Sequence, residues 1–286
     1  MLSLAIATYN EENTIVDCLE SCKGLVDEIV IVDGTSSDKT AELARGMGAR
    51  VIVTNNDPMF HINKQKAIDA CAGEWILQLD ADERVTPELA GEIKQILQMT
   101  QREIEEYENK LAEKNLFKRH QSIVQPNWHK QTGEYSAFFI PRLNFFLGGY
   151  LRSGGVYPDG VIRLIKKGKA SLPCKDVHEL MEVDGKTGWL AHPLIHKDSP
   201  TFKRYLERNS RYIDRLVADL HVRNKKSQIE MIDWVIVKPI ATFFSLTIRH
   251  KGIRDGWRGV VFAFFSAIRF ARAYYRFSNG SLGKLK

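Results

Sequence analysis

Cysteine is scarce, with only Cys18, Cys22, Cys71 and Cys174 among 286 residues. No CxxC pair and no Cys/His spacing suits zinc, so these thiols read as buried, reduced side chains of a cytosolic protein. Proline is not in excess and no Gly-X-Y period runs through the chain, which excludes a fibre. The first ten residues read as a strand and not as a charged-then-apolar secretion signal, so nothing argues for export. No internal repeat or low-complexity tract is present. With 44% hydrophobic and 27% charged residues, the chain can bury a full core, which excludes disorder from end to end. Acidic residues are nearly missing from one region only. Residues 234–286 hold ten Lys+Arg and a single acid, Asp255, for a net charge of +9, whereas residues 1–233 hold 31 basic and 34 acidic side chains. Such asymmetry assigns any contact with an anionic surface to the tail.

What is present is an alternation of short apolar runs and helical patterns. Leu2–Ala7, Glu28–Val32, Arg50–Thr54 and Trp75–Leu79 read as strands. Helices are expected after residue 12, over Lys39–Met47, over Asn63–Ala72 and from Thr86-Pro87-Glu88, where a cap residue precedes a first-turn proline. This order predicts an α/β fold on a parallel sheet with right-handed crossovers. Polar clusters end three of the strands, on the sheet edge where open α/β folds bind ligands. Residues 98–120 read as a charged, solvated helix. Pro141–Asp159, rich in glycine and aromatics, reads as a binding loop over a pocket. Residues 200–222 read as a long helix rich in Arg and Tyr.

At the sheet edge, Asp80 and Asp82 flank Ala81, and alternation along a strand places both carboxylates on one face. Two such oxygen donors suit a hard divalent cation, which could neutralise a leaving diphosphate. Asp33 ends the second strand and Asn10-Glu11 the first. A carboxylate there can accept from a base N–H or from ribose hydroxyls. Asp38 reads as a helix cap.

Three motifs in order, Ala7-Thr8-Tyr9-Asn10-Glu11-Glu12, Ile31-Val32-Asp33-Gly34-Thr35-Ser36 and Leu79-Asp80-Ala81-Asp82-Glu83, resemble those of the family 2 inverting glycosyltransferases of GT-A fold. Lys64-Gln65-Lys66-Ala67, Tyr157-Pro158-Asp159, Val177-His178-Glu179 and His192-Pro193-Leu194-Ile195-His196 extend the likeness toward the branch containing the lipopolysaccharide-core β-1,4-glucosyltransferases. The resemblance covers about residues 1–225. It implies a nucleotide-sugar donor, UDP-linked, and a cell-envelope lipid-linked or oligosaccharide acceptor. It assigns Thr8, Asn10, Glu11, Asp33, Lys64, Asp80 and Ala81 to the donor, with Asp33 on the base and Glu11 on the ribose. Asp80 and Asp82 would serve the diphosphate and Mg²⁺ or Mn²⁺. Where the family commonly has Asp-Ser-Gly-Ser, this chain has Asp33-Gly34-Thr35-Ser36, and Gln65 follows Lys64 in place of Asn. The family's catalytic base lies about a hundred residues beyond the Asp-x-Asp motif. That implies Glu179, with Asp159 and Asp176 as competitors and His178 and His196 in support.

The resemblance thus divides the chain into a GT-A catalytic domain, 1–225, and a basic aromatic helical tail, 226–286. The first comprises a nucleotide-binding half (1–97), a charged helical insertion (98–135) and an acceptor half (136–225). In the tail, Trp234–Ile248 has 15 residues, short of the roughly 20 needed to cross a bilayer. Arg269, Arg272 and Arg276 share one helix face, among aromatics. That pattern predicts a helix lying on an anionic membrane, on the inner face of the cytoplasmic membrane, and not a nucleic-acid contact. Packing against the catalytic domain or in a dimer is the alternative for this tail. Two other functions compete: a non-catalytic membrane scaffold, and a nucleotidyltransferase, whose glycine-rich phosphate loop is missing after Ala7.

Overall fold

A computed structural model describes residues 1–175, 180–199, 201–223 and 227–280. The chain forms two compact units, residues 1–143 with 158–196, and residues 144–157 with 197–286.

The first unit is built on a sheet of seven strands. These are β1 (Leu2–Thr8), β2 (Glu28–Asp33), β3 (Arg50–Val53), β4 (Trp75–Leu79), β6 (Tyr135–Ile140), β9 (Val161–Lys166) and β12 (Lys186–Trp189), in the order β12-β6-β9-β4-β1-β2-β3. Strands β1 to β4 are parallel, as the alternating pattern predicts, but β9 runs antiparallel to both β4 and β6. The sheet is therefore mixed, a correction to the all-parallel expectation. An antiparallel insertion needs no crossover helix, so periodicity in the first hundred residues carries no sign of it. Helices α1 (Ile15–Ser21), α2 (Thr40–Gly46), α3 (Phe60–Ala70) and α4 (Pro87–Ile96) lie between or after these strands. Leu4, Ile6, Ile31, Leu77 and Leu79 are fully buried, and cutting one of them to Ala would cost about 2–5 kcal/mol. Thr86 caps α4 by accepting from Leu89 N at 3.2 Å, with Pro87 in the first turn.

The charged stretch after α4 is helical and mostly exposed, but it is two helices and not one, each with a narrow buried face. It folds as α5 (Gln101–Lys110) and α6 (Lys114–Val124), which bury Ile104, Phe117 and Gln121. Thr100 and Glu103 close a capping box at the start of α5. Phe117 stacks on Trp189 at 4.5 Å between centroids, and Phe139 stacks on the same indole at 4.7 Å. Trp189 Nε1 donates to Gln121 Oε1 at 3.1 Å. The few apolar residues hidden among charges suffice, because each lands on Trp189 or on the sheet beneath it. The indole also lies hard against Gly160, where an added Cβ would come within 2.2 Å of the ring.

In the second unit, part of the expected binding loop is a hairpin, β7 (Arg142–Phe146) with β8 (Gly149–Leu151), whose pairing runs from Asn144↔Leu151 to Phe146↔Gly149. Helix α7 (Phe202–Arg223) follows. Then α8 (Gln228–Ile232) and α9 (Lys238–Phe244) run through π-helical turns at Asp233–Val237 and Ser245–Arg249 to make one continuous helix, Gln228–Arg249. Its 22 residues exceed the expected 15, because polar residues on either side of the apolar run are helical too. Helix α10 (Trp257–Ser278) packs on α7 through Ala273, Tyr274 and Phe277 against Ile213, Val217 and Leu220. Arg269 donates to Asn209 Oδ1 at 2.7 Å and lies over Tyr212, and Arg276 pairs with Asp214 at 2.6 Å. Two of the three arginines expected to face lipid thus bind α7 instead. A helical wheel cannot tell a charged face aimed at phosphate from one aimed at single polar and acidic side chains, here Asn209 and Asp214, of a neighbouring helix. Between the two long helices, Asp255 accepts from the backbone N–H groups of Arg152 and Ser153, at 3.2 and 2.8 Å.

Candidate active site

The C-terminal ends of β1, β2 and β4 lie side by side, since Thr8 pairs with Asp33 and Ile6 with Leu79. Asp33 is buried, and its Oδ1 accepts from Thr8 Oγ1 at 3.0 Å and from Ser36 Oγ at 2.6 Å. Its Oδ2 accepts from Ser36 N at 2.8 Å, so Asp33 organises its own turn whatever else it meets. Asn10 ties the first loop to the second: its N donates to Ser36 Oγ at 2.9 Å and its Oδ1 accepts from Ser37 N at 2.8 Å. Glu11 N donates to Thr40 Oγ1 at 2.7 Å, and the Glu11 carboxylate accepts from Thr14 at 2.6 Å. Asp38 accepts from Thr40 N at 3.0 Å in the turn before α2, whose N-cap position is Lys39 and not Asp38.

This double loop carries strain. Asn10 and Thr35 have φ of +56° and +61°, a region a β-branched residue rarely enters. Thr35 stands where the resembling family has glycine. The glycine has moved one place back, to Gly34, where a Cβ would come within 3.1–3.2 Å of Asn56. Thr35 is held in its strained conformation by its hydroxyl, which donates to Thr54 O at 2.7 Å.

The two carboxylates of the Asp-x-Asp motif have different surroundings. Asp80 has Lys64 Nζ at 2.5 Å from Oδ1 and Arg163 Nη2 at 2.7 Å from Oδ2. Burial alone would raise the Asp80 pKa, but Arg163 and Lys64 hold it well below the usual carboxylate range. Asp82 instead meets His196, whose Nε2 is 3.5 Å from Asp82 Oδ2. The pairing of β5 (Glu83–Arg84) with β13 (Leu194–Ser199) sets His196 opposite Glu83 and produces that meeting. Among the described residues no cluster of three or more His, Cys, Asp or Glu side chains is arranged for a metal ion. Asp82 offers a carboxylate at this edge, with the His196 ring nitrogen 3.5 Å away. That donor set suits a hard cation such as Mg²⁺, which is commonly held by one or two carboxylates and completes its shell with phosphate oxygens and water.

Behind the motif runs a buried chain of charges that sequence reasoning missed. Arg163 Nη2 also lies 2.7 Å from Glu83 Oε1, and Arg163 Nη1 donates to Gln78 Oε1. Glu83 has no exposed side chain, accepts from Asp80 N at 3.0 Å and meets Arg142 at 3.5 Å. Arg142 in turn grips Asp159, at 2.9 Å from the carboxylate and 3.2 Å from its carbonyl. The available signal was Arg163 itself, a lone guanidinium inside the apolar strand Val-Ile-Arg-Leu-Ile. Asp159, a competing base, is held by a cation and sits at φ +41°. Glu179, His178 and Asp176 lie outside the described residues.

A mixed α/β sheet whose strand ends gather an acidic pair, with Lys64 of α3 and His196 of β13 beside it, is consistent with a GT-A-type fold. The profile described as "Glycosyl transferase family 2" matches residues 3–149, and the chain belongs to that family. An uncharacterised glycosyltransferase of Rickettsia typhi is 38% identical over 97 residues, which is 33% of this chain and 32% of that protein. The match therefore spans about a third of the length of these curated relatives. Glucosyl-3-phosphoglycerate synthase from Mycobacterium tuberculosis, solved with Mn²⁺, UDP-glucose and phosphoglyceric acid, is 28% identical over 29% of this chain and 34% of its own, at a TM-score of 0.26. TarS from Staphylococcus aureus, residues 1–349, aligns with 98% of this chain and 89% of its own at 13% identity and a TM-score of 0.39.

Proposed function

We propose that this protein transfers a sugar with inversion from a UDP-linked donor to a lipid-linked or oligosaccharide acceptor of the cell envelope, as the lipopolysaccharide-core branch of the family does. The observation that carries this reading is the meeting of Asp82 with His196 beside the Lys64–Asp80–Arg163 cluster, at the strand ends of a family 2 chain. Thr8, Asn10, Glu11 and Asp33 would receive the nucleoside, Asp33 the base and Glu11 the ribose. Asp82 and His196 would hold Mg²⁺ or Mn²⁺, which when bound supplies positive charge to the departing diphosphate. Lys64, fixed by Asp80, adds a second positive charge at the same edge. Asp80 then acts mainly as the anchor of Lys64 and Ala81 as the spacer that separates the two carboxylates.

Glu179 would take the proton from the acceptor hydroxyl as its oxygen attacks the anomeric carbon opposite the diphosphate. Asp159 is the weaker candidate, since a base gripped by Arg142 gives up basicity. Residues 1–225 would carry this chemistry, and residues 226–286 would keep the enzyme on the inner face of the cytoplasmic membrane, where lipid-linked acceptors reside. The test is a thermal-shift screen of nucleotide sugars, followed by donor hydrolysis with Mn²⁺ or Mg²⁺. Stabilisation by a UDP-sugar together with metal-dependent turnover is expected. No stabilisation and no turnover with any donor would favour a scaffold.

A further inference from the structure

The continuous helix Gln228–Arg249 has an apolar stripe that no other described residue of its unit covers. Ile229, Ile232, Ile236, Ile240, Phe244 and Ile248 recur every three or four residues and are 47–82% exposed. A spacing of four drifts by about 40° per step around an α-helix. The π turns at Asp233–Val237 and Ser245–Arg249 wind less per residue and turn the stripe back, so that it stays on one side. The opposite side is anchored, with Trp234 buried in the α7–α10 core and Thr247 buried further along. The one cation inside the stripe's span, Lys238, is paired with Asp233 at 2.8 Å and lies over the Trp234 ring. At the end of the stripe the surface changes character. Arg249, Lys251 and Arg254 are exposed and alternate with exposed Ile248, Ile253 and Trp257.

An apolar stripe ending in exposed cations and an aromatic side chain matches a lipid bilayer, with acyl chains for the isoleucines and phosphates for the cations. We infer that the Gln228–Arg249 helix lies in the plane of an anionic membrane, sunk along its isoleucine stripe, with Arg249, Lys251 and Arg254 on lipid phosphates. This rests on the reading of the enzyme as membrane-associated, and moves the contact from the α10 arginines to this helix. Length alone would let the helix cross, since 22 residues rise about 33 Å. Its packing opposes crossing. A crossing helix would draw α10, with Arg269, Arg272 and Arg276, and the charged α7 into hydrocarbon, where each arginine is costly.

The test uses the full chain and vesicles of phosphatidylcholine with or without phosphatidylglycerol. Wild type should co-sediment with the anionic vesicles, several-fold less with phosphatidylcholine alone, and less at high salt. Ile236→Glu with Ile240→Glu should lower partition at least tenfold, and Arg249→Glu with Lys251→Glu and Arg254→Glu should abolish the preference for phosphatidylglycerol. Both variants should keep the wild-type melting midpoint and donor hydrolysis, so loss of vesicle binding is separable from loss of transfer. Spin labels at positions 229, 240 and 248 should all report one shallow depth. A label at 240 deep at the bilayer centre would overturn the in-plane placement. A wild type that ignores anionic vesicles and forms a dimer broken by Ile236→Glu would overturn the membrane as partner.

Discussion

Arg163 and Asp80 form an ion pair of 2.7 Å in which the arginine is also bound, by the same nitrogen, to the fully buried Glu83. One guanidinium therefore neutralises two carboxylates, one fully withdrawn from water and one, Asp80, partly open to it. The Asp-x-Asp loop keeps its shape because this cation sits behind it. Removing one partner of such a buried group costs about 3–5 kcal/mol, since the remaining charges lose their compensation.

Arg163→Met should therefore lower stability by about 3–5 kcal/mol. Arg163→Met combined with Glu83→Gln should lose less than the sum of the single changes. Denaturant unfolding of the four proteins measures the coupling. Additive losses would dissolve the pairing as an energetic unit.

Asp82→Ala and His196→Ala should each abolish metal-dependent donor hydrolysis while the fold persists. Manganese titration followed by electron paramagnetic resonance should show affinity lost in both and largely kept in Lys64→Met. Full activity of Asp82→Ala, or of wild type in EDTA, would remove the metal from the mechanism.

Glu179→Gln should lower kcat by about 10²–10⁴, the range for a positioned general base, with UDP affinity nearly unchanged. Asp159→Asn should instead act through Arg142 and chiefly reduce stability. If Asp159→Asn or Asp176→Asn produces the catalytic loss and Glu179→Gln does not, the base is misassigned.

Glu108 offers a pH dependence. Burial pushes its carboxyl up to about 7, although the backbone N–H of Trp189 donates to it. The folded protein then holds a proton that the unfolded chain releases near pH 4.5. This contribution is fully present below that value and is lost as pH rises through 7, up to about 3 kcal/mol. Glu108→Gln should keep the Trp189 bond and flatten that part of the stability profile. Parallel melting curves of both proteins between pH 5 and 8 would contradict it.

Thr35→Gly should relieve the positive φ and raise stability by about 1 kcal/mol, less what the Thr35–Thr54 bond contributes. Gly34→Ser should destabilise by forcing Asn56 aside. A gain in melting midpoint for Gly34→Ser would refute the close approach at that glycine.

Much of the nucleotide-side architecture was legible because it is local. Apolar runs, caps and polar strand ends are written within ten residues of each other, and the three motifs lie on the strands and loops they suggested. What escaped is long-range. Arg163 meets Asp80 across 83 positions of sequence, and His196 reaches Asp82 only through the pairing of β5 with β13. Ile104 and Phe117 stand alone among charges, and the surfaces that receive them, the sheet core for Ile104 and the Trp189 ring for Phe117, come from distant parts of the chain. Arg269 and Arg276 looked like lipid ligands because their partners, Asn209 and Asp214, lie some sixty residues earlier.

The grip of Asp255 on the amides of Arg152 and Ser153 changes how the helix Gln228–Arg249 can be studied. An acid near the end of the chain completes a loop laid down a hundred residues before it. A chain cut before Trp234 would lose that acceptor and also uncover Ile213, Val217 and Leu220 of α7. Insolubility of such a fragment would report a stripped protein interior and say nothing about lipid. The proposed membrane contact is therefore to be separated from catalysis by changing the outward side chains of an intact chain, never by shortening it.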